Sequence, residues 1–337
     1  MHARLLAALC ALSLTALSAA AQSQNPQAPQ ITVGGVVYGQ YLYQLKDSGG
    51  GAANQNDFSI QRAYLNVLGR FSGGISTRVT TDIQPNAAGN QQIRLKYAFV
   101  GWTPNNGNLT YKFGLTQTPY IDWEETLWDY RMQGPIAVDR NGYMSSSDFG
   151  AGVDGHWNSE AVNAQFLFFN GEGYSGGTGD NHKDVGGRVS VRVSKTNDMS
   201  RVGGLRLTGY AGLGKATGGA DRNRYIGTAS YRTQQITLGA EFVSTKDAAT
   251  TGSILSGFGV YKFNKSKVAV IGRIDVLDPD TDTPDNKQTR GIAGVSYQAQ
   301  SNLRLLADVD LLSYEGGATP AQDATRNRAL FQLQFTF

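Results

Sequence analysis

The chain of 337 residues holds one cysteine, Cys10, and three histidines. Cys10 falls within residues 1 to 21, where a basic start (His2, Arg4), an apolar stretch from Leu5 to Leu17 and the small-residue end Ala19-Ala20-Ala21 read as a secretory signal cut before Gln22. Without that leader no disulfide, thiolate metal site or cysteine nucleophile is available. Leu9 is also too bulky for the position before a lipoprotein cysteine. His156 and His182 are too few for a zinc site built on histidines, and no cofactor is expected. Beyond the leader no apolar run approaches the roughly 20 residues of a membrane-crossing helix, which excludes a helical membrane protein. A formal net charge of +3 gives nucleic acid no electrostatic footprint.

Glycine is abundant instead, with 42 residues against only nine prolines. That is about 12%, well above the average usage of about 7%, and it dilutes helices. Sixteen tyrosines, fourteen phenylalanines and four tryptophans complete a glycine- and aromatic-rich chain suited to an exported β protein, either soluble or embedded in an outer membrane.

Residues 22–30 are a polar, proline-containing lead-in without periodicity, and 31–337 carry the fold. Alternation bounded by Gly, Asn, Asp, Ser and Pro clusters predicts sixteen strands. The first eight are expected at 31–45, 57–71, 74–84, 91–103, 108–118, 148–158, 161–170 and 183–194. The rest are expected at 203–214, 222–232, 235–245, 253–263, 267–277, 287–298, 302–313 and 326–337. Odd strands mostly exit into longer connectors, 246–252 among them, and even strands mostly turn back through short links; the link near 195–202 is an exception. This is the pattern of an all-β, antiparallel, up-and-down transmembrane barrel, whose even strand number returns both chain ends to one side.

Along the last strand Ala329, Phe331, Leu333, Phe335 and Phe337 alternate with Arg328, Gln332, Gln334 and Thr336, while Leu330 breaks the pattern. The series Ile93, Leu95, Tyr97, Phe99 and Leu303, Leu305, Ala307, Val309, Leu311 repeat it, with Leu306 as an apolar intruder. A soluble sandwich alternates too. The aromatics Phe71, Trp157, Tyr231, Phe263, Tyr297 and Phe337, however, fall at the short-turn end on the apolar series, where a membrane barrel places its girdle. Trp102 violates this parity and requires a bulge or an inward position.

If the apolar face meets outer-membrane lipid, the polar face lines water. Parity then places Arg62, Arg70, Arg78, Arg94, Lys96, Lys112, Arg188, Arg192, Arg206, Arg224, Arg232, Lys262, Arg273, Arg290, Arg304 and Arg328 in the lumen, with Asp82, Asp154, Glu241, Asp275, Asp308 and Asp310 as inward acids. A basic wall attracts anions. The connector 119–147 is long enough to fold inward as a constriction loop, with a helical turn over Trp123, Glu124, Glu125, Leu127, Trp128 and Tyr130. Its acids, including Glu124, Glu125 and Asp129, outnumber Arg131 and Arg140 and oppose the basic wall; a surface lid or subunit-contact loop is the other reading.

The segments Ser59-Ile60-Gln61-Arg62-Ala63-Tyr64-Leu65-Asn66-Val67-Leu68-Gly69-Arg70-Phe71, Leu95-Lys96-Tyr97-Ala98-Phe99-Val100, Lys112-Phe113-Gly114-Leu115-Thr116-Gln117-Thr118-Pro119-Tyr120 and Asp148-Phe149-Gly150-Ala151-Gly152-Val153-Asp154-Gly155 resemble the phosphate-selective porin O/P family. The resemblance is strongest over residues 57–157. It implies a sixteen-stranded homotrimeric channel of the bacterial outer membrane with phosphate selectivity, although the chain is short for that family and its phosphate-site lysine cluster has no residue-by-residue counterpart here.

Other motifs carry little chemistry. Gly209, Gly214 and Lys215 have phosphate-loop spacing, but Ala216 replaces the magnesium-binding hydroxyl. Asp278, Asp280, Asp282 and Asp285 form an acidic loop in which Thr283 and Thr289 stand where a calcium loop needs glycine and glutamate, so it reads as a solvated loop rather than a calcium site. No Gly-x-Ser-x-Gly elbow accompanies the histidines, and no enzyme is expected. The expected function is passive diffusion of small hydrophilic solutes with a modest anion preference. A general or sugar-type channel without anion selectivity, and a non-channel barrel with an adhesive, structural or lipid-hydrolase role, remain the alternatives.

Overall fold

The computed structural model describes residues 28–45, 55–86, 88–104, 107–176, 180–216 and 218–337. The expected signal, 1–21, and most of the lead-in lie outside the described residues. Sixteen antiparallel strands close into one barrel in sequence order, with the first paired to the last. They are β1 (Gln30–Gln44), β2 (Asn56–Arg70), β3 (Ile75–Pro85), β4 (Gln91–Trp102), β5 (Leu109–Gln117), β6 (Ser147–Trp157), β7 (Val162–Phe169) and β8 (Asp184–Ser194). After them come β9 (Gly204–Leu213), β10 (Arg222–Arg232), β11 (Ile236–Asp247), β12 (Thr250–Lys262), β13 (Val268–Asp278), β14 (Gln288–Gln300), β15 (Leu303–Tyr314) and β16 (Arg328–Thr336). Every boundary lies within about three residues of its sequence expectation, because glycine and polar clusters punctuate the alternation so regularly.

Closure relies on a close backbone approach. The Gly35 N–H donates to the Phe337 carbonyl at 2.9 Å, and the Phe337 N–H donates back at 3.0 Å. A Cβ at Gly35 would sit 2.4 Å from the Tyr64 carbonyl oxygen and 2.6 Å from the Phe337 ring, so only glycine fits this seam.

The outer surface is a continuous apolar belt. Ile93, Phe113, Leu207, Phe242, Leu255, Ile274, Val295 and Phe331 are all exposed, a larger apolar area than a dissolved protein tolerates. Phe71, Trp157, Tyr231, Phe263, Tyr297 and Phe337 are exposed too, at the short-turn end where the sequence placed them. Trp102 joins that face through a bulge in β4: Thr80 pairs with Tyr97 and Thr81 with Leu95, which leaves Lys96 unmatched. The bulge corrects the expected parity. Ile93 and Leu95 face outward, but Tyr97 is 5% exposed and turns inward together with Lys96.

The connector pattern has one correction. The segment 246–252 is no long loop, because β11 runs to Asp247 and β12 starts at Thr250, with Asp247 paired to Thr250. Ala248 at φ 56 makes the tight turn.

Candidate functional site: the bore and its inward loops

The connector between β5 and β6 folds into the barrel and forms two helices, α1 (Ile121–Trp128) and α2 (Ala137–Arg140). Its apolar residues leave water: Tyr120, Ile121, Trp123, Leu127, Trp128, Met132, Ile136 and Val138 are all buried. They pack on an inner wall that is apolar where a wholly polar one was expected. Tyr210 of β9, Ile226 of β10, Val243 of β11, Ile254 and Phe258 of β12, Ile271 of β13 and Leu306 of β15 complete the cluster. Leu306, the intruder in the alternation, is thus part of the bed on which the loop rests.

The loop is fastened along its length. The Tyr120 hydroxyl lies 2.7 Å from Thr228 Oγ1 and donates to the Glu241 carboxylate. The Trp128 ring meets Phe258 edge-on at 5.2 Å. Tyr130 reaches Ser296 on β14 at 2.7 Å. Gln332 on β16 donates to the Met132 carbonyl at 2.8 Å, and Arg224 on β10 donates to the Tyr143 carbonyl at 2.9 Å. The loop therefore sweeps across β10 to β16 and returns, leaving β2 to β5 facing it across the remaining space.

This course divides the lumen arginines into two groups. One group holds the loop. Arg188 donates to the Pro119 carbonyl at 2.8 Å and lies 4.1 Å from the Trp123 ring centre. Arg304 donates to the Asp129 carbonyl at 2.7 Å, and its guanidinium sits 5.0 Å from the Tyr130 ring. Arg273 pairs with Asp275 at 2.8 Å and stands 5.4 Å from the Trp128 ring. Arg140 of the loop, Arg290 and Arg328 converge on Asp310, with Arg140 at 3.4 Å and Arg328 at 3.2 Å. Arg206 lies 5.4 Å from the Trp123 ring, and the buried Arg192 and Arg206 donate to carbonyls outside the loop, Arg192 to Ser159 and Arg206 to Gly203 and Glu160.

The other group is on the facing wall. Arg62 pairs with Asp82 at 3.3 Å. Arg78 lies 4.3 Å from the Tyr97 ring and donates to Thr80 and Asn66. Arg94 donates to Gln92 at 3.1 Å, and Lys112 pairs with Asp154. Lys96 donates to the Tyr64 hydroxyl at 3.1 Å. Opposite them the loop presents Glu125, paired with Arg131 at 2.7 Å, together with Asp122 and Asp139. Burial raises the Asp139 carboxyl above its ordinary range, while the Arg131, Lys96 and Arg62 cations pull it back. Glu124 points the other way, into the anchor. Burial first, and then the Glu241 carboxylate, lift Glu124 well above the ordinary glutamate value, against a smaller pull from Arg273. One Glu124 oxygen is buried without a hydrogen-bond partner among the described residues.

Several residues that hold the inward connectors were not legible in advance. The link between β8 and β9, exceptional for its length, supplies buried Val202 and Arg201, which pairs with Asp122 at 2.7 Å. Arg232, which parity had placed in the lumen, donates to the Thr126 carbonyl of the loop at 2.7 Å. The β7–β8 connector also turns inward: the Gly171 and Gly173 N–H groups donate to Asp148 at 3.0 and 2.8 Å, and the Tyr174 hydroxyl donates to Asp82 on β3 at 2.8 Å. Between these loops and the wall, at the long-loop end, lies a cavity of about 400 Å³ bordered by Arg94, Asp139, Tyr143, Glu172, Tyr174 and Arg224. Among the described residues no group of three or more His, Cys, Asp and Glu side chains is arranged to hold a metal ion.

No protein-family model matches the chain, and no curated protein matches it. The resemblance to the phosphate-selective porin O/P family therefore rests on the residues quoted for it. Solved structures do match. An anion-selective porin from Comamonas acidovorans superposes with a TM-score of 0.66 at 16% identity, over 92% of this chain and 100% of its own. The trimer form of OmpT, an outer membrane protein of Vibrio cholerae, gives 0.64 at 12% over 92% and 100%. Salmonella typhi OmpF, in complex with daunomycin, gives 0.62 at 14% over 91% and 97%. At these identities the likeness carries the fold alone: a closed, sixteen-stranded antiparallel barrel.

Proposed function

We propose that the protein is a passive diffusion channel of the bacterial outer membrane, admitting small hydrophilic solutes with a modest preference for anions. The observation that carries this reading is the pair of facing charge rows in the bore: Arg62, Arg78, Arg94 and Lys112 on β2 to β5 against Asp122, Glu125 and Asp139 on the inward loop. Opposed rows create a field across the constriction that orients dipolar solutes. With Arg131 and Arg201, which pair with Glu125 and Asp122, the cations slightly outnumber the acids and tip the balance toward anions, because low-dielectric walls focus the field into the water. Asp82 and Asp154 neutralise part of that wall, which limits the preference and argues against a site built for phosphate alone. The apolar belt supports placement in lipid, and the trimer form of a barrel of the same fold supports a homotrimer.

Reversal potentials across planar bilayers in a potassium chloride gradient test the reading. Wild type is expected to favour chloride, and Arg62→Gln, Arg78→Gln and Arg94→Gln combined are expected to remove that preference. A wild-type cation preference that the three substitutions leave unchanged would overturn it.

A further inference from the structure

Lys96 stands on the inner face of a strand that borders the bore, yet it is 3% exposed. Among the described residues no ion pair compensates it. Its ammonium is instead enclosed by three phenol rings, with centres at 4.7 Å for Tyr64, 5.7 Å for Tyr97 and 5.9 Å for Tyr174. Tyr64 and Tyr97 belong to β2 and β4 and are fixed by the strand ladder. Tyr174 belongs to a connector, so it is the one wall of the enclosure able to move without breaking sheet hydrogen bonds.

What holds Tyr174 in place is narrow. Its hydroxyl donates to Asp82, a fully buried carboxylate that also pairs with Arg62. Behind it the connector hangs from Asp148 through Gly171 and Gly173, whose φ angles of 105 and 73 favour glycine. Opposing terms meet at this contact. A phenol-to-carboxylate hydrogen bond and a cation–π contact favour closure. Rehydration of a buried ammonium that has no ion pair among the described residues favours opening. Terms of opposite sign at one contact are what a gate between two arrangements requires.

We propose that Tyr174 is a specificity-determining residue of the bore. Seated on Asp82 it seals the Lys96 ammonium from permeant ions, and its release exposes Lys96 and turns the constriction toward anions. The proposal rests on the channel reading above and adds to it a movable element on the wall opposite the inward loop.

The test compares wild type, Tyr174→Phe, Tyr174→Ala and the double variant Tyr174→Ala with Lys96→Gln, each confirmed as a folded barrel by heat-modifiable gel migration. Two readouts are taken: the chloride-to-potassium permeability ratio in planar bilayers, and the rate at which Lys96 is acetylated by a small water-soluble amine-reactive ester, followed by mass spectrometry. Tyr174→Ala is expected to raise conductance, to raise the permeability ratio about twofold or more and to speed Lys96 acetylation several-fold. Tyr174→Phe, which keeps the ring and loses the hydroxyl, falls between, and the double variant returns the ratio to the wild-type value. Normal channel steps with unchanged acetylation and selectivity in Tyr174→Ala overturn the role of Tyr174 alone, as does a selectivity shift that survives Lys96→Gln. An absence of steps from folded wild type overturns the channel reading and this role with it.

Discussion

Replacing Trp128 with alanine removes the largest single contact between the inward loop and its bed. The side chain is fully buried, meets Phe258 at 5.2 Å and Tyr130 at 5.7 Å, and lies 5.4 Å from the Arg273 guanidinium. Truncating a buried tryptophan costs about 3–5 kcal/mol, a figure that already includes these aromatic and cation–π contacts. The lower end applies here, because a released loop stays inside the bore and keeps part of its apolar surface shielded. A loss of about 3 kcal/mol raises the population of the undocked loop by roughly a hundredfold. Hydrogen exchange reads that population directly. The α1 amides of Glu124 and Asp129, bonded to the Tyr120 and Glu125 carbonyls at 3.1 and 3.0 Å, are therefore expected to exchange roughly a hundredfold faster in Trp128→Ala than in wild type. Strand amides away from the bed keep their protection. Trp128→Phe, which retains a ring against Phe258, is expected to show about a tenfold increase, as for a partial loss of packing. Wild-type exchange across α1 in the alanine variant would refute the claim that apolar packing on the barrel wall holds the loop inward.

Two further outcomes follow from the charges around that loop. Glu124 has its folded-state pKa raised above the ordinary value of 4.5 by burial and by Glu241, so its support for docking is complete below that value and is lost as pH rises through the raised one; intrinsic-rate-corrected protection of α1 should fall with rising pH, and Glu124→Gln should flatten the dependence. Asp310→Ala leaves Arg140, Arg290 and Arg328 without their shared, 3% exposed carboxylate, at a cost of about 3–5 kcal/mol, and the temperature at which the barrel loses its compact gel migration should drop; an unchanged transition would contradict the cluster's structural role.

The barrel was legible in the sequence because each strand carries its own evidence: a period of two, bounded by glycine and polar turns, with aromatics at one end. The inward direction of the charged side chains followed from the same parity. What parity misjudged was local. At Lys96 one bulged residue reverses inside and outside, so Tyr97 turns into the bore and Trp102 out of it. Only the violation at Trp102 signalled the bulge. The inward course of 119–147 could be expected from its length and its tryptophans, but the apolar bed that receives it could not, because Ile254, Phe258 and Ile271 on an inner face look in sequence like further lipid-facing residues. For the same reason many arginines assigned to the bore prove to be fasteners. Arg188 and Arg304 meet loop carbonyls, partners that no sequence pattern announces. Tyr174 lies in a glycine-rich connector that carries no periodicity at all.

The central claim is that water runs through this barrel between the inward loop and the wall of β2 to β5. Purified, folded protein added to a planar lipid bilayer tests it most directly: discrete, ohmic conductance steps are predicted, and a folded barrel that inserts without producing any step would contradict the account.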